Sequence, residues 1–124
     1  MIGAACRFDY RQSPNKEDEP PAIGDAVLLL QEVYAFDPRA KMSPQAAEHV
    51  LGAQGNVWTE YMPTQQHVEY MAYPRGTALA KVVWSSFGSR DFQNFIQRLA
   101  VFLGRLRALG VNYRDPFSKR ARAT

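Results

Sequence analysis

The chain is short of several things that most chemistries need. It has one cysteine, Cys6, in 124 residues, so no intrachain disulfide can form and the redox compartment stays open. Without a base beside it, Cys6 reads as a small buried apolar side chain. It has two histidines, His49 and His67. Neither has a Cys or Asp partner at ligand spacing, so they read as solvated or helix-packing residues and no metal is expected. No apolar run approaches the roughly 20 residues that span a bilayer. Gly3-Ala-Ala-Cys6 lacks the charged start and the apolar run of about 7–15 residues that a secretory leader needs. Adjacent carboxylates occur only at Glu17-Asp18 and Asp18-Glu19, in a polar loop beside Pro20 and Pro21. A general acid needs a shielded pocket to raise its pKa. A solvated loop offers none, so no catalytic residue is expected there.

Charge is also modest, with a formal net of +3. Much of the positive charge comes late, at Arg105, Arg107, Arg114, Lys119, Arg120 and Arg122. No nucleic-acid motif accompanies it, so neither nucleic acid nor membrane is expected as a partner. Residues 115–124 read as a basic, disordered tail. Hydrophobic residues at 46% and charged residues at 22% are ordinary for one globular domain or part of one.

What is present alternates between strand and helix signals. Residues 2–8 fit a buried strand running into Asp9, followed by a polar loop over 12–21. Ala26–Tyr34 is apolar enough for a short buried helix or a strand, and periodicity does not decide between them. Ser43-Pro44 predicts a helix start, with a side-chain acceptor at the cap and a proline where no N–H is needed; that helix runs to about Val50. Gly52–Thr59 reads as a strand. Thr64 caps a helix expected to reach Ser85 and to bend at Pro74. A last helix is expected from Ser89. Phe92, Phe95, Ile96, Leu99, Phe102, Leu103, Leu106 and Leu109 recur on it as a core stripe, with Gly110 at the C′ position. Tyr70, Tyr73 and Trp84 belong with the core on the same reasoning.

This order predicts an α/β fold, with a parallel sheet and helices outside it. Two strands cannot complete such a sheet, and a (β/α)8 barrel needs about 250 residues. On strand geometry, Gln54, Asn56, Trp58 and Glu60 share one face, with Trp58 and Glu60 at the C-terminal end. An aromatic face and an ionised acceptor suit a pyranose, which has apolar C–H faces and a hydroxyl rim. Trp58 also reads as a core aromatic, Glu60 as a solvated strand-end carboxylate and Asp9 as a turn-initiating residue.

Val50-Leu-Gly-Ala-Gln-Gly-Asn-Val-Trp-Thr-Glu-Tyr61, His67-Val-Glu-Tyr-Met-Ala-Tyr-Pro-Arg75, Ala78-Leu-Ala80 and Val83-Trp-Ser85 resemble the C-terminal end of family 20 glycoside hydrolases, the β-N-acetylhexosaminidases. Phe8-Asp-Tyr-Arg-Gln12, Glu19-Pro20 and Val33-Tyr-Ala-Phe-Asp-Pro38 resemble the segment before it, and Arg98-Leu99 through Arg105–Arg114 the terminal helix. The resemblance covers about residues 7–114. It implies the last strands and two long helices of a catalytic TIM (β/α)8 barrel, an α/β fold incomplete as a barrel on its own. It also implies hydrolysis of terminal N-acetylglucosamine or N-acetylgalactosamine with retention, assisted by the substrate's own acetamido group, and no cofactor. By resemblance Trp58 walls the sugar face, while Glu60 and Asp9 accept its rim hydroxyls.

Three positions depart from the family's pattern. Arg7 stands where a tyrosine on the same strand face contacts the acetamido oxygen, and it brings a permanent charge and a longer reach. Tyr10, at an odd offset, is expected to point to the other face. Lys81 replaces a glutamate, and Gly76 replaces larger residues at a cost of about 0.5–1 kcal/mol relative to alanine. The family's adjacent Asp-Glu catalytic pair belongs to an earlier strand. The chain is therefore expected to be a C-terminal fragment that holds Asp9, Trp58 and Glu60 for an N-acetylhexosaminide but does not hydrolyse alone. The alternatives are a small non-catalytic protein that binds a partner or self-associates, and one half of an enzyme completed by a separate N-terminal barrel part. The family's usual secretion signal would precede the resembling segment, so the compartment stays open.

Overall fold

The computed structural model describes residues 4–118. Strand β1 (Ala4–Arg7) pairs in parallel with β2 (Ala53–Asn56), in the register Ala4 to Ala53 through Arg7 to Asn56. The Phe8 N–H extends the ladder by donating to the Asn56 carbonyl at 2.8 Å. A parallel pair needs a long crossover. Here the crossover carries helix α1 (Leu30–Ala35) and the short helix α2 (Pro44–Ala47). After β2 come α3 (Gln65–Ala72), α4 (Arg75–Trp84) and α5 (Phe92–Ala108). The α/β order expected from the sequence is present.

Several boundaries differ from the sequence expectation, each for a local reason. The apolar run 26–34 resolves into both candidates. Val27 makes an isolated parallel bridge with Arg11, and the helix begins three residues later. Strand β2 ends at Asn56 rather than Thr59, so its alternation does not reach Trp58 or Glu60. The expected bend at Pro74 is a full break between α3 and α4. Tyr73, before the proline, is extended, as the proline ring disfavours the helical region there. The last helix starts after Asp91, whose side chain accepts from the Asn94 N–H at 3.1 Å; Ser89 lies in a 3-10 turn instead.

Other signals hold. Ser43 and Thr64 cap α2 and α3 by accepting from the N–H groups of Ala46 and His67. Gly110 closes α5 at φ +77°. Its N–H donates to the Arg107 carbonyl and that of Val111 to Leu106, both at 3.0 Å, the paired C-cap that needs a left-handed residue.

The main core joins the sheet to the helices. Cys6 and Phe8 from β1 and its extension, Val33 and Tyr34 from α1, Ala78, Leu79 and Val82 from α4, and Phe95, Leu99, Leu103 and Leu106 from α5 are buried together. Tyr34 ties α1 to α5: its ring stacks on Phe95 at 4.7 Å and its hydroxyl accepts from the Asp91 N–H at 2.9 Å. Trp84, expected in the core, is 88% exposed, because α4 turns that face outward. Residues 115–118 form a turn with Phe117 packed against the core. The rest of the expected tail lies outside the described residues. Among the described residues no helix is long and apolar enough to cross a membrane.

Candidate functional site

The C-terminal ends of β1 and β2 lie side by side, since Arg7 pairs with Asn56. That register brings Arg7, Asp9, Tyr10 and Trp58 into one group. The Arg7 guanidinium donates to both oxygens of Asp9, from Nε at 2.8 Å and from Nη2 at 2.6 Å. It also lies over the Trp58 ring, 4.9 Å from its centre, and over the Tyr10 ring at 4.7 Å. Asp9 is 4% exposed and Trp58 is 52% exposed. Glu60 sits in the turn after Trp58, exposed, with its charge acting on Arg7.

The electrostatics follow from the fork. Arg7's two hydrogen bonds hold the Asp9 carboxyl below the usual aspartate range, against the opposing effect of burial. The same bonds push the Arg7 pKa up, with smaller contributions from the charges of Asp9 and Glu60. One cation thus sits among two carboxylates and two aromatic rings. Such an assembly can accept hydroxyl hydrogen bonds on carboxylates and offer ring faces to apolar C–H groups.

The structure corrects the expected orientation of Tyr10. It lies under Arg7, on the side expected to exclude it. Strand β1 ends at Arg7 and residues 8–9 form a turn, so strict alternation no longer governs position 10. Arg7 itself was placed on the Asp9 face by the two-residue offset. The signal for their ion pair was therefore present in the sequence.

A second arginine positions this end of the sheet. Arg75, the first residue of α4, is fully buried. Its guanidinium donates to the carbonyls of Met71, Tyr10, Leu28 and Phe8. These are carbonyls that turns, loops and the end of α3 leave without regular partners, and a buried carbonyl without a partner is costly. Burial brings the Arg75 pKa down to about 10, which keeps it charged at neutral pH. By clamping the carbonyls on either side of Asp9, Arg75 fixes the segment that carries it. Nothing local in the sequence marks Arg75 for this task.

The loop carboxylates also differ from expectation. Glu17 is exposed, but the Glu19 side chain is fully buried and accepts from Arg114 Nε at 2.9 Å. Burial pushes its carboxyl pKa up, outweighing the attraction of Arg114. The Tyr70 phenol is pushed up by the same burial and by the Glu19 charge. The loop is solvated at Glu17 but not at Glu19, because Arg114 returns from the far end of the chain to cover it. His67 is buried on α3 and His49 is exposed. Among the described residues no group of three His, Cys, Asp or Glu side chains could hold a metal ion.

A parallel strand pair with helices around it defines an α/β protein, with acidic and aromatic side chains gathered at the C-terminal end of its strands. Residues 3–87 match glycosyl hydrolase family 20, catalytic domain, and the chain belongs to that family. A β-hexosaminidase of Porphyromonas gingivalis is 41% identical over 99 residues, covering 79% of this chain and 13% of that protein. A β-hexosaminidase of Akkermansia muciniphila is 39% identical over 100 residues, covering 81% of this chain and 20% of its own length. The crystal structure of a family 20 exo β-N-acetylglucosaminidase from Vibrio harveyi, in complex with N-acetylglucosamine, superposes with a TM-score of 0.79 at 29% identity. It covers 92% of this chain and 18% of that one. The chain therefore spans a fifth or less of the length of these relatives.

Proposed function

We propose that the chain is the C-terminal portion of a β-N-acetylhexosaminidase barrel and supplies the binding side of its sugar pocket. Asp9, Trp58 and Glu60 are the proposed substrate-binding residues. The observation that carries this is their convergence: two parallel strands bring Asp9 and Trp58 to a shared guanidinium, with the charge of Glu60 acting on it. The catalytic Asp-Glu pair of the family is proposed to lie on a strand outside this chain. Glu17, Asp18 and Glu19 do not replace it. Glu17 is exposed, Asp18 accepts from the Asn15 side chain, and Glu19 is committed to Arg114.

The reaction proposed for the assembled enzyme is removal of terminal N-acetylglucosamine or N-acetylgalactosamine, with the acetamido oxygen as internal nucleophile. No metal or organic cofactor takes part. A chromogenic N-acetylglucosaminide provides the test. The chain alone should not turn it over. Mixing it with a family 20 barrel truncated just before the matching segment should restore turnover. Hydrolysis by the chain alone would show that it carries its own acid and would end this reading.

The second reading is a non-catalytic protein that binds a partner or associates with itself. It is favoured by Leu51 and Phe87, 98% and 62% exposed, which line one surface hollow, since large exposed apolar side chains grouped together mark interaction surfaces.

A further inference from the structure

We propose that Arg7 is a built-in plug of the sugar pocket and sets how readily that pocket accepts a neutral sugar. The proposal rests on the assignment of Asp9, Trp58 and Glu60 to sugar binding. A carboxylate that receives hydroxyl hydrogen bonds must be reachable, yet Asp9 is 4% exposed. Its two oxygens are taken by Arg7 Nε and Nη2 at 2.8 and 2.6 Å. A ring that walls a sugar must offer a bare face, yet the same guanidinium lies 4.9 Å from the centre of Trp58. One side chain thus covers Asp9 and one face of Trp58.

The plug is stable for reasons visible around it. The planar fork of arginine matches a carboxylate with two parallel bonds, and its face stacks on aromatic rings. Tyr10 supplies a second ring at 4.7 Å. The Glu60 charge adds a further attraction. Arg7 with Asp9 and Glu60 sums to one net negative charge, so this arginine does not act as a receptor for an anionic sugar. A neutral N-acetylhexosamine binds here only after the guanidinium swings away and surrenders both bonds to Asp9. Arg7 is 32% exposed at its side chain, so it has solvent to swing into.

The experiment titrates the full chain with N-acetylglucosamine, following Trp58 fluorescence in a Trp84→Phe background. The chain has two tryptophans, so the remaining signal is then that of Trp58. Arg7→Ala opens the pocket but leaves Asp9 without its ion pair. Arg7→Gln keeps hydrogen-bond donors near Asp9 without the charge, and far-UV circular dichroism checks that each variant is folded. Losing a charge-assisted pair that the sugar must otherwise break should tighten binding about tenfold or more in at least one folded variant. Trp58→Ala removes the fluorophore, so its binding is followed by isothermal titration calorimetry beside Arg7→Ala and the parent, and it should abolish that gain. If the parent binds as tightly as both variants, the plug is wrong while the sugar site stands. If the parent and every variant fail to bind, the plug falls together with the sugar site.

Discussion

Glu19 shows how one side chain can carry opposing terms. Its ion pair with Arg114 favours the carboxylate, and its complete burial favours the acid. The raised pKa says that burial wins. The sign of the pH effect follows. In the folded chain Glu19 holds its proton more tightly than at the ordinary value of 4.5. Its contribution to stability is thus fullest below that value and declines as pH rises through the folded pKa. Glu19→Gln removes this term while keeping shape and a hydrogen-bonding group. The variant's deficit against the parent, measured by urea midpoint, should shrink from acid to alkaline pH. Asp9 behaves oppositely: its lowered pKa supports stability above the ordinary 3.8 that is lost as pH falls. It is present in both proteins and cancels in the difference. A deficit that grows with pH would show that Arg114 outweighs burial.

At the scale of the element, the sheet depends on close approach. A Cβ built on Gly55 of β2 would sit 2.3 Å from Phe8 Cε2. Phe8 is buried, with Arg75 5.2 Å from its ring centre, so the ring has little room to yield. Gly55→Ala should cost about 1–3 kcal/mol through overpacking. Gly76, in the first turn of α4, differs. Its Cβ would meet Tyr73 at 3.7 Å and Phe8 at 3.9 Å, ordinary contacts. Gly76→Ala should be neutral or stabilising by less than about 1 kcal/mol. Chemical denaturation of both variants checks the contrast, and equal losses would refute the account of Gly55. Much of the helical frame was legible, because capping is local: Ser43, Thr64 and Gly110 each announce their role within a few residues. The end of β2 was not, since the apolar and aromatic run through Trp58 continues beyond the last ladder bond. The burial of Glu19 and the clamp of Arg75 depend on partners 95 and 67 residues away. Asp9 and Trp58 are candidates through the family resemblance, with strand spacing placing Trp58 toward the strand end. That Arg7 also reaches the Trp58 ring required the register of the two strands.

The molecule as a whole divides its stability unevenly. The helices share a closed core in which Leu99, Leu103 and Leu106 of α5 are buried. Among the described residues the sheet has two strands, paired over four residues each. Parallel sheets are normally covered on both faces and continued at both edges, whereas Gln54 and Gly55 are exposed. A two-stranded ladder of this kind should open locally at less cost than the helical core unfolds. Hydrogen exchange reads this directly. Amides of Ala53–Asn56 should exchange well before those of Leu99–Leu106. The barrel reading adds a second expectation at the same scale: a truncated family 20 barrel lacking this segment should slow exchange in β2 far more than in α5, because it would supply the missing strand neighbours. If β2 is already as protected as α5 in the isolated chain, its edges need no partner, and both the barrel-completing and partner-binding readings lose their structural basis.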